Sequence, residues 1–219
     1  MFSFHSTKLY HSIEGGLLVF TDPGLKKTFD YLKNFGFENE TEVVMPGTNA
    51  KMNEFQALMG LQVLEYLPAL IAHRRKISEL YRELLADVPG ITIPSPPPGV
   101  DHNHAFFPVE IHEKEFGLSR DALYQRLKEF NVHTRRYFYP LLCDFACYRS
   151  LPVNFPLPVA RRVAKRILAL PIYDSLALED VERICDIIRD LFAGKAKFIT
   201  TEFDTEGAPK LAIAASASV

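Results

Sequence analysis

The residues with the clearest chemical potential lie in the first sixteen positions of the chain. Ser3, His5 and Lys8 follow one another at short spacing, and Glu14 stands directly before two glycines. Alternate side chains of a strand share a face, so Ser3 and His5 would point to the same side and Lys8 would follow just past that polar edge. A lysine amine there can attack an aldehyde and carry a proton. The spacing therefore predicts a reactive site at the end of a strand.

A second segment, residues 46–57, has the sequence Pro-Gly-Thr-Asn-Ala-Lys-Met-Asn-Glu-Phe-Gln-Ala. The first segment, with the sequences Ser-Phe-His-Ser-Thr-Lys and Glu-Gly-Gly, and this second one together resemble the nucleotide-sugar aminotransferases of the DegT/StrS type. The resemblance continues weakly through residues 135–141 and 170–173 to a last helix near Phe192. It is a resemblance to the carboxy-terminal half of these enzymes, which use pyridoxal 5'-phosphate (PLP) as cofactor.

The resemblance implies roles for individual residues. Lys8 would be the lysine that bonds covalently to PLP and later moves a proton as base and acid. The Ser3 hydroxyl would donate to the cofactor phosphate, and Asn49 would reach the phosphate in a neighbouring subunit, so that the site is formed by a homodimer. His5 would lie near the cofactor.

Each of these residues also has an ordinary structural explanation. Lys8 alone could be a surface lysine, and Ser3 a strand residue whose hydroxyl is satisfied by the backbone. Asn49 follows Gly47 in a segment where asparagine is favoured as a turn residue. His5 could equally be a buried, hydrogen-bonded histidine. Only the two motifs in order favour the catalytic interpretation.

An aromatic and basic segment near residue 137 is a candidate substrate site. Tyr137 and Tyr139 could line a sugar pocket, although aromatic residues on a strand more often pack in the core. The adjacent Arg135 and Arg136 could hold a nucleotide-sugar diphosphate, or form a solvated face with nearby acids.

Histidines and cysteines predict no metal site. His102 and His104 alternate on a presumed strand, and no carboxylate or cysteine completes a ligand set with His112. The three cysteines are too few for a disulfide framework, and we expect them to be reduced structural thiols. They are Cys143, Cys147 and Cys185.

Hydrophobic periodicity predicts the elements of the first half. Residues 2–5 and 16–20 are typical of two short buried strands, and Asp22 followed by Pro23 predicts the start of a short helix. A long helical pattern starts at Asn53, with Pro68 marking a kink or a junction of two helices, and ends before a Pro-Gly pair.

The second half predicts a small α+β unit. We expect a strand at residues 105–111, a helix capped by Ser119, a strand at residues 132–138, and a last helix capped by Ser175 and closed by Gly194. Residues 195–219 have low complexity and are expected to form a flexible tail.

Composition is that of an ordinary globular protein. The 219 residues are 47% hydrophobic and 24% charged, with a formal net charge of -2. Such a charge predicts no nucleic-acid partner and no attraction to acidic membranes. The sequence contains no run approaching about 18 uninterrupted apolar residues and no leader pattern, so we expect a cytoplasmic protein without a membrane segment.

The resemblance implies an α/β fold: a remnant of the large domain of a type I, PLP-dependent aminotransferase, then a long helix and a small α+β carboxy-terminal domain. The expected division is residues 1–52, residues 53–88, residues 89–194 and the tail. The family's features that precede the lysine, namely the phosphate-binding loop, the ring-stacking side chain and the acid for the pyridine nitrogen, have no counterpart here.

Two functions follow as hypotheses. The first, implied by the resemblance, is an aminotransferase fragment that transfers an amino group from glutamate to a nucleotide-linked keto-sugar, as a homodimer or with a separately encoded amino-terminal half. Such a reaction would serve polysaccharide, lipopolysaccharide or secondary-metabolite biosynthesis. The second is an inactive remnant that acts only as a dimerisation or interaction module.

Overall fold

The computed structural model describes residues 1–151 and 156–194. The chain divides into two compact units, residues 1–72 and 73–219, and the second is described up to residue 194 apart from the gap. The tail predicted for residues 195–219 lies outside the described residues. The expected four-part division stays a prediction.

The first unit begins with a minimal hairpin. Strands β1 (Phe2–Ser3) and β2 (Gly16–Leu17) are antiparallel, and Phe2 pairs with Leu17. The prediction of two longer, buried strands is wrong, because the paired segments have two residues each and their side chains are exposed. The two strands pair only with each other, and within the described part of the chain no second layer covers their apolar side chains.

Helix α1 (Leu25–Lys33) confirms the short helix predicted after the Asp22-Pro23 pair. Asp22 is not the N-cap of α1, because Gly24, two residues later, holds that position. The Asp22 carboxylate instead accepts a hydrogen bond from the Gly24 amide at 2.8 Å and stabilises the turn that leads into the helix.

Helix α2 (Glu54–Leu85) is one continuous helix through Pro68, so a junction of two helices is not found there. The boundary between the two units falls within it, after Ala72. Among the described residues, α2 is also the one helix that is long and apolar enough to cross a membrane by length and composition alone. Its most apolar stretch of 18 residues has a mean hydropathy of 1.3, and 6% of that stretch is buried. The absence of a membrane segment therefore stays a prediction.

The second unit contains a three-stranded antiparallel sheet in the order β3–β4–β5, with strands β3 (Ile91–Thr92), β4 (Phe107–Ile111) and β5 (Ile167–Leu170). Strand β4 confirms the strand predicted at residues 105–111, and its side chains alternate between buried and half-buried. Strand β5 was not predicted, and all four of its residues are buried.

The predicted strand at residues 132–138 is wrong. Only Arg135 pairs there, in an isolated bridge with Ala169 of β5. The Arg135 amide donates to the Ala169 carbonyl at 3.0 Å, and the Ala169 amide donates back at 2.7 Å. A single bridge replaces a strand because the chain turns away after residue 136.

The described part of the second unit also contains a short 3₁₀ helix (Leu142–Asp144) and the helices α3 (Glu113–Phe116), α4 (Arg120–Glu129), α5 (Pro158–Ala164) and α6 (Leu178–Phe192). The predicted cap of α4 is confirmed, because the Ser119 hydroxyl accepts a hydrogen bond from the Ala122 amide at 3.1 Å. The predicted cap of α6 at Ser175 is wrong: the helix begins after Ala177, which makes no side-chain capping bond.

The hydrophobic core lies in the second unit. Tyr81 of α2 stacks on Phe107 of β4 with ring centroids 4.8 Å apart, and its hydroxyl donates to the Pro171 carbonyl at 3.1 Å. Buried side chains of α4 and α6 cover the sheet. In the first unit, Leu9 is the only fully buried hydrophobic side chain among the described residues. The first unit therefore has almost no core of its own.

Candidate functional site

The Lys8 turn is fixed by backbone hydrogen bonds to the hairpin. The Lys8 amide donates to the His5 carbonyl at 2.9 Å, which closes a tight turn just after β1. The Phe4 amide donates to the Gly15 carbonyl at 2.9 Å, and the Ser12 amide donates to the Phe4 carbonyl at 3.0 Å. These bonds hold the lysine segment at the end of the hairpin, where the spacing of Ser3, His5 and Lys8 predicted a site.

His5 is held between two partners. Its Nδ1 lies 3.2 Å from the Thr7 amide and 2.9 Å from the Thr7 hydroxyl, while its Nε2 lies 3.4 Å from a Glu14 carboxylate oxygen. Because the amide can only donate, Nδ1 is the acceptor and Nε2 carries the hydrogen that faces Glu14. The ring is exposed, so the alternative of a buried histidine is wrong.

Glu14 thus has a role that its spacing alone did not reveal. It orients His5 from the segment just before β2, and its own backbone is fixed by Ser12, a buried residue whose hydroxyl donates to the Glu14 carbonyl at 3.0 Å. The sequence signal was the Glu-Gly-Gly turn, since glycine after Glu14 lets the backbone pack closely. A Cβ at Gly15 would lie 2.3 Å from the Ser12 hydroxyl.

The Lys8 side chain is exposed, and within residues 1–151 and 156–194 it has neither an ion-pair nor a hydrogen-bond partner. Ser3 is also exposed, and its hydroxyl accepts a weak hydrogen bond from the His5 amide at 3.4 Å. The structure therefore brings Ser3, His5, Lys8 and Glu14 to one end of the hairpin. An unpaired amine there is available to a carbonyl compound.

Asn49 lies in a different loop of the same unit. The neighbouring amides of Thr48 and Ala50 donate to carbonyls at the end of α1, at 2.8 Å and 2.9 Å, while the Asn49 side chain is exposed. Within the described part of one chain, no hydrogen bond joins Asn49 to Ser3 or Lys8. Its predicted contact with a neighbouring subunit stays a prediction.

The Asn49 loop needs glycine at two positions. Gly36 has a φ of +82°, and a Cβ there would lie 1.7 Å from the Met45 carbonyl oxygen. A Cβ at Gly47 would lie 2.3 Å from the Gly36 amide nitrogen. The loop that carries Asn49 thus packs backbone against backbone at the end of α1.

Tyr137 and Tyr139 lie in the second unit, in the segment that replaces the predicted strand. Tyr137 packs edge-on against Phe106 with centroids 4.9 Å apart and stacks on Phe138 at 4.6 Å. Tyr139 is 48% exposed, and the Arg120 guanidinium lies 4.9 Å from its ring centroid. Neither tyrosine is a fully buried core residue, so both remain candidates for a binding surface.

In the described part of the chain, no group of three or more histidine, cysteine, aspartate or glutamate residues could hold a metal ion. His104 instead hydrogen-bonds the buried Ser78 hydroxyl at 3.1 Å. Burial lowers the pKa of His104, and the nearby His102 and Arg75 lower it further. These contacts give His104 a structural role.

Comparison with known proteins gives the geometry a context. The model of the DegT/DnrJ/EryC1/StrS aminotransferase family matches residues 1–189. The chain belongs to this family. Both segments that form the hairpin site and the Asn49 loop fall inside the matched region, as does the complete sheet of the second unit.

Curated members of the DegT/DnrJ/EryC1/StrS family with similar sequences include two dTDP-4-amino-4,6-dideoxy-D-glucose transaminases. The one from Shigella dysenteriae is 37% identical over 189 residues, covering 86% of this chain and 51% of the relative. The one from Escherichia coli is 40% identical over 179 residues, covering 81% and 48%. The chain spans about half the length of the curated relatives it matches.

A solved structure confirms the fold class. The structure of DesI in the presence of its TDP-sugar product superposes with a TM-score of 0.81 at 38% identity, covering 89% of this chain and 50% of that one. The chain therefore has part of the α/β fold of a PLP-dependent sugar aminotransferase, and its mixture of helix and strand agrees with this.

The residues at the hairpin end fit one side of a PLP site. They include an unpaired amine at Lys8, a hydroxyl at Ser3 and an imidazole with a fixed tautomer at His5. A phosphate also needs several convergent donors, which a helix N-terminus commonly supplies. In the first unit the only described helices, α1 and α2, begin well after the Lys8 turn in sequence. The set thus fits the amine side of the cofactor, and apart from the Ser3 hydroxyl it leaves the phosphate donors to other residues.

Proposed function

We propose that this chain supplies the lysine-bearing half of a PLP-dependent aminotransferase that transfers an amino group to a keto-sugar carried by a nucleotide. The observation that carries the proposal is the Lys8 amine, which is exposed and unpaired at the end of a hairpin inside the region that matches the family. The dTDP-sugar activity of the curated relatives supports a nucleotide-linked sugar as substrate. Glutamate is our proposed amino donor.

Each site residue has a proposed task. When bound, PLP supplies the aldehyde that receives the amino group and a conjugated ring that draws electrons from the reacting carbon. The Lys8 Nζ holds the cofactor and moves a proton from the donor carbon. The Ser3 hydroxyl binds the phosphate, His5 contacts the cofactor with its ring fixed by Glu14, and Asn49 binds the phosphate in a second subunit.

We further propose that the site is completed by a polypeptide equivalent to the amino-terminal half of the relatives. The first half of α2 supports this, because its apolar side chains face solvent. Phe55 is 82% exposed and Leu61 is 62% exposed. Burying one such side chain stabilises a protein by about 1.5–3 kcal/mol, so a complex in which a partner covers them would gain considerable stability. The exposed apolar side chains in this half of α2 are Phe55, Leu58, Leu61, Leu64 and Tyr66.

The hairpin gives a second reason for such a partner. Strands β1 and β2 form an isolated two-stranded sheet, and Phe2, Leu17 and Leu18 are exposed. A two-stranded sheet has little stability by itself, and unpaired strand edges accept further strands. A polypeptide that contributes strands would extend this sheet and cover its apolar side chains. A protein partner would also cover the exposed apolar side chains of α2 without a membrane.

The test is covalent trapping of the cofactor on Lys8. The purified chain is mixed with PLP, alone and with the amino-terminal half of the Shigella dysenteriae relative supplied as a separate polypeptide, then reduced with borohydride and mapped by mass spectrometry. We expect saturable, stoichiometric labelling of Lys8 in the mixture. Lys8→Arg should abolish it, whereas Lys26→Arg, which changes another exposed lysine of the same unit, should leave it unchanged.

The second candidate function is an interaction module without catalysis. It is favoured by the same exposed apolar side chains of α2, which would bind a partner whether or not a cofactor is present. Binding of the added half without labelling at Lys8 would support this module. Labelling scattered over surface lysines would contradict the catalytic proposal.

A further inference from the structure

Arg120 has an unusual environment for a charged residue. It is the first residue of α4, it is 2% exposed, and it is among the largest fully buried side chains of the described residues. Its Nε donates to the Asp121 carboxylate at 3.0 Å, and its Nη1 donates to the Ile167 carbonyl of β5 at 2.8 Å. A buried guanidinium needs such partners, and these two bonds set the plane of the group.

Tyr139 lies over this guanidinium. The distance from the Arg120 Cζ to the Tyr139 ring centroid is 4.9 Å, which is within the range of a cation–π contact. Arg136 lies 5.4 Å from the same centroid and donates to the same Asp121 oxygen that Arg120 uses, at 3.0 Å. One carboxylate thus links two cations that lie against one ring.

The charge state of Asp121 is consistent with this arrangement. Burial raises the pKa of its carboxyl, but hydrogen bonds and charge from Arg136 and Arg120 outweigh that effect and leave the pKa below its usual value. The carboxylate is therefore ionised at neutral pH and can hold both guanidinium groups. We call Arg120, Asp121 and Arg136 together the Tyr139 clamp.

The arginine at position 120 is not fully satisfied by the fold. Its Nη2 is buried and has no hydrogen-bond partner among the described residues. An unpaired buried donor is unfavourable, so the two hydrogen bonds to Asp121 and Ile167 do not by themselves explain why position 120 has an arginine. The flat guanidinium also packs against the ring of Tyr139, and a lysine ammonium would support that ring less well.

We propose that Arg120 is a positioning residue that fixes the Tyr139 ring for contact with the nucleotide-sugar. Arg120 acts through Tyr139 and does not itself touch the substrate. Tyr139 is half exposed, and the accessible part of a flat aromatic ring can contact the C–H face of a sugar or a nucleobase. The role of Tyr139 in substrate binding rests on the proposed function, whereas the positioning of Tyr139 by Arg120 does not.

The chain has no tryptophan, so a Tyr139→Trp variant gives a single fluorescent reporter at this position. In that background, Arg120→Met should shift the emission to longer wavelength and increase acrylamide quenching about two-fold, because the ring loses its support. Arg120→Lys should give an intermediate change. Arg183→Met, which removes an exposed arginine of α6, should change neither.

Unchanged emission and quenching in Arg120→Met, together with lower stability, would show that Arg120 only joins α4 to β5 and would overturn the proposal. Because removing a buried arginine can prevent folding, Asp121→Asn serves as the second variant. It keeps the bond from Arg120 to Ile167 but weakens the Tyr139 clamp, and we expect a smaller shift in the same direction. No shift in a folded Asp121→Asn protein would equally contradict the proposal.

The link to substrate is tested separately, with Tyr139 restored and the chain combined with the amino-terminal half of the relative. Arg120→Lys should raise the KM for a dTDP-linked keto-sugar about ten-fold while kcat changes less than about two-fold. Labelling of Lys8 by PLP should not change. A reporter shift with an unchanged KM would overturn the substrate role. If PLP did not label Lys8 in the unmodified chain, the proposed function would be contradicted. The fluorescence result on the positioning of Tyr139 would still be valid.

Discussion

At the residue scale, the three cysteines differ in accessibility. Cys185 is buried, and burial raises the pKa of its thiol to about 12. Cys147 is exposed and Cys143 is half-buried. Since the thiolate is the reactive form, the environment of Cys185 in α6 makes it inert in the folded state. This agrees with the expectation of a structural thiol at that position.

We therefore predict a graded reaction with a maleimide reagent at neutral pH. Cys147 should react first, and Cys185 should react at least about ten-fold more slowly until the protein is unfolded with urea. Mass mapping of each cysteine over time measures the rates. Equal rates at Cys147 and Cys185 in the folded protein would show that α6 is not packed as described.

A second residue-scale prediction concerns His104. Burial lowers its pKa in the folded state, so below the unfolded value of about 6.5 the unfolded chain binds more protons than the folded one. The stability that His104 contributes is present above that pH and is lost as the pH falls toward the lower folded-state pKa. The contribution is modest because the ring is half-buried.

Urea unfolding at about pH 7.5 and about pH 5.5 tests this. The urea midpoint should be lower at the lower pH, and His104→Gln should make that decrease smaller. His133→Gln is a matched control, since His133 is exposed and hydrogen-bonds only Asn131 among the described residues. An equal pH dependence in wild type and His104→Gln would contradict the assignment.

At the element scale, two serines that look alike in sequence differ in the structure. Both precede a helical pattern, but only Ser119 caps a helix, through its bond to the Ala122 amide. Ser175 lies before the actual start of α6 and is exposed. Sequence patterns locate helix ends to within a few residues, and the capping geometry depends on the single residue that leaves the helical conformation.

Ser119→Ala should therefore lower the free energy of unfolding by about 1 kcal/mol, because the Ala122 amide loses its acceptor. Ser175→Ala should change it by less than about 0.5 kcal/mol, as for surface substitutions without a special role. Denaturant titration of the two variants against the unmodified chain provides the measurement. A similar loss in both would show that α6 is capped from Ser175 after all.

The strands show the same limit of sequence patterns. Residues 132–138 are rich in β-forming side chains, yet only Arg135 pairs with a strand. Residues 167–170 form a short apolar run that is compatible with either a strand or a helix, and they are β5 because they pair with Phe107–Glu110. Which segment enters a sheet depends on the partner it finds, and that partner is distant in sequence.

At the scale of the whole molecule, the two units differ in how much core they contain. The described fully buried hydrophobic side chains lie in the second unit, apart from Leu9. The first unit is held by turns, one short helix and the exposed first half of α2. Local stability follows buried apolar contacts, so the two units should open with different free energies.

Hydrogen exchange followed by mass spectrometry should show this difference directly. Among the described residues, slowly exchanging amides should lie within residues 77–151 and 156–191, and peptides from residues 1–60 should exchange fast in the isolated chain. Adding the amino-terminal half of the relative should protect β1, β2 and the first half of α2. Leu61→Glu should prevent that protection, whereas Glu79→Gln, on an exposed position of the same helix, should not.

The family could be predicted from its two motifs, and the segments of α1, α2, β4 and α4 could be predicted because they depend on local spacing, capping and hydrophobic period. The exposed, unpaired state of Lys8, the contact of His5 with Glu14, the pairing of β5 and the Tyr139 clamp depend on the three-dimensional packing and could not be predicted in this way. Each of them joins residues that local patterns do not relate. The hairpin aligns Glu14 with His5, and the packing of α4 on β5 places Arg120 beneath Tyr139.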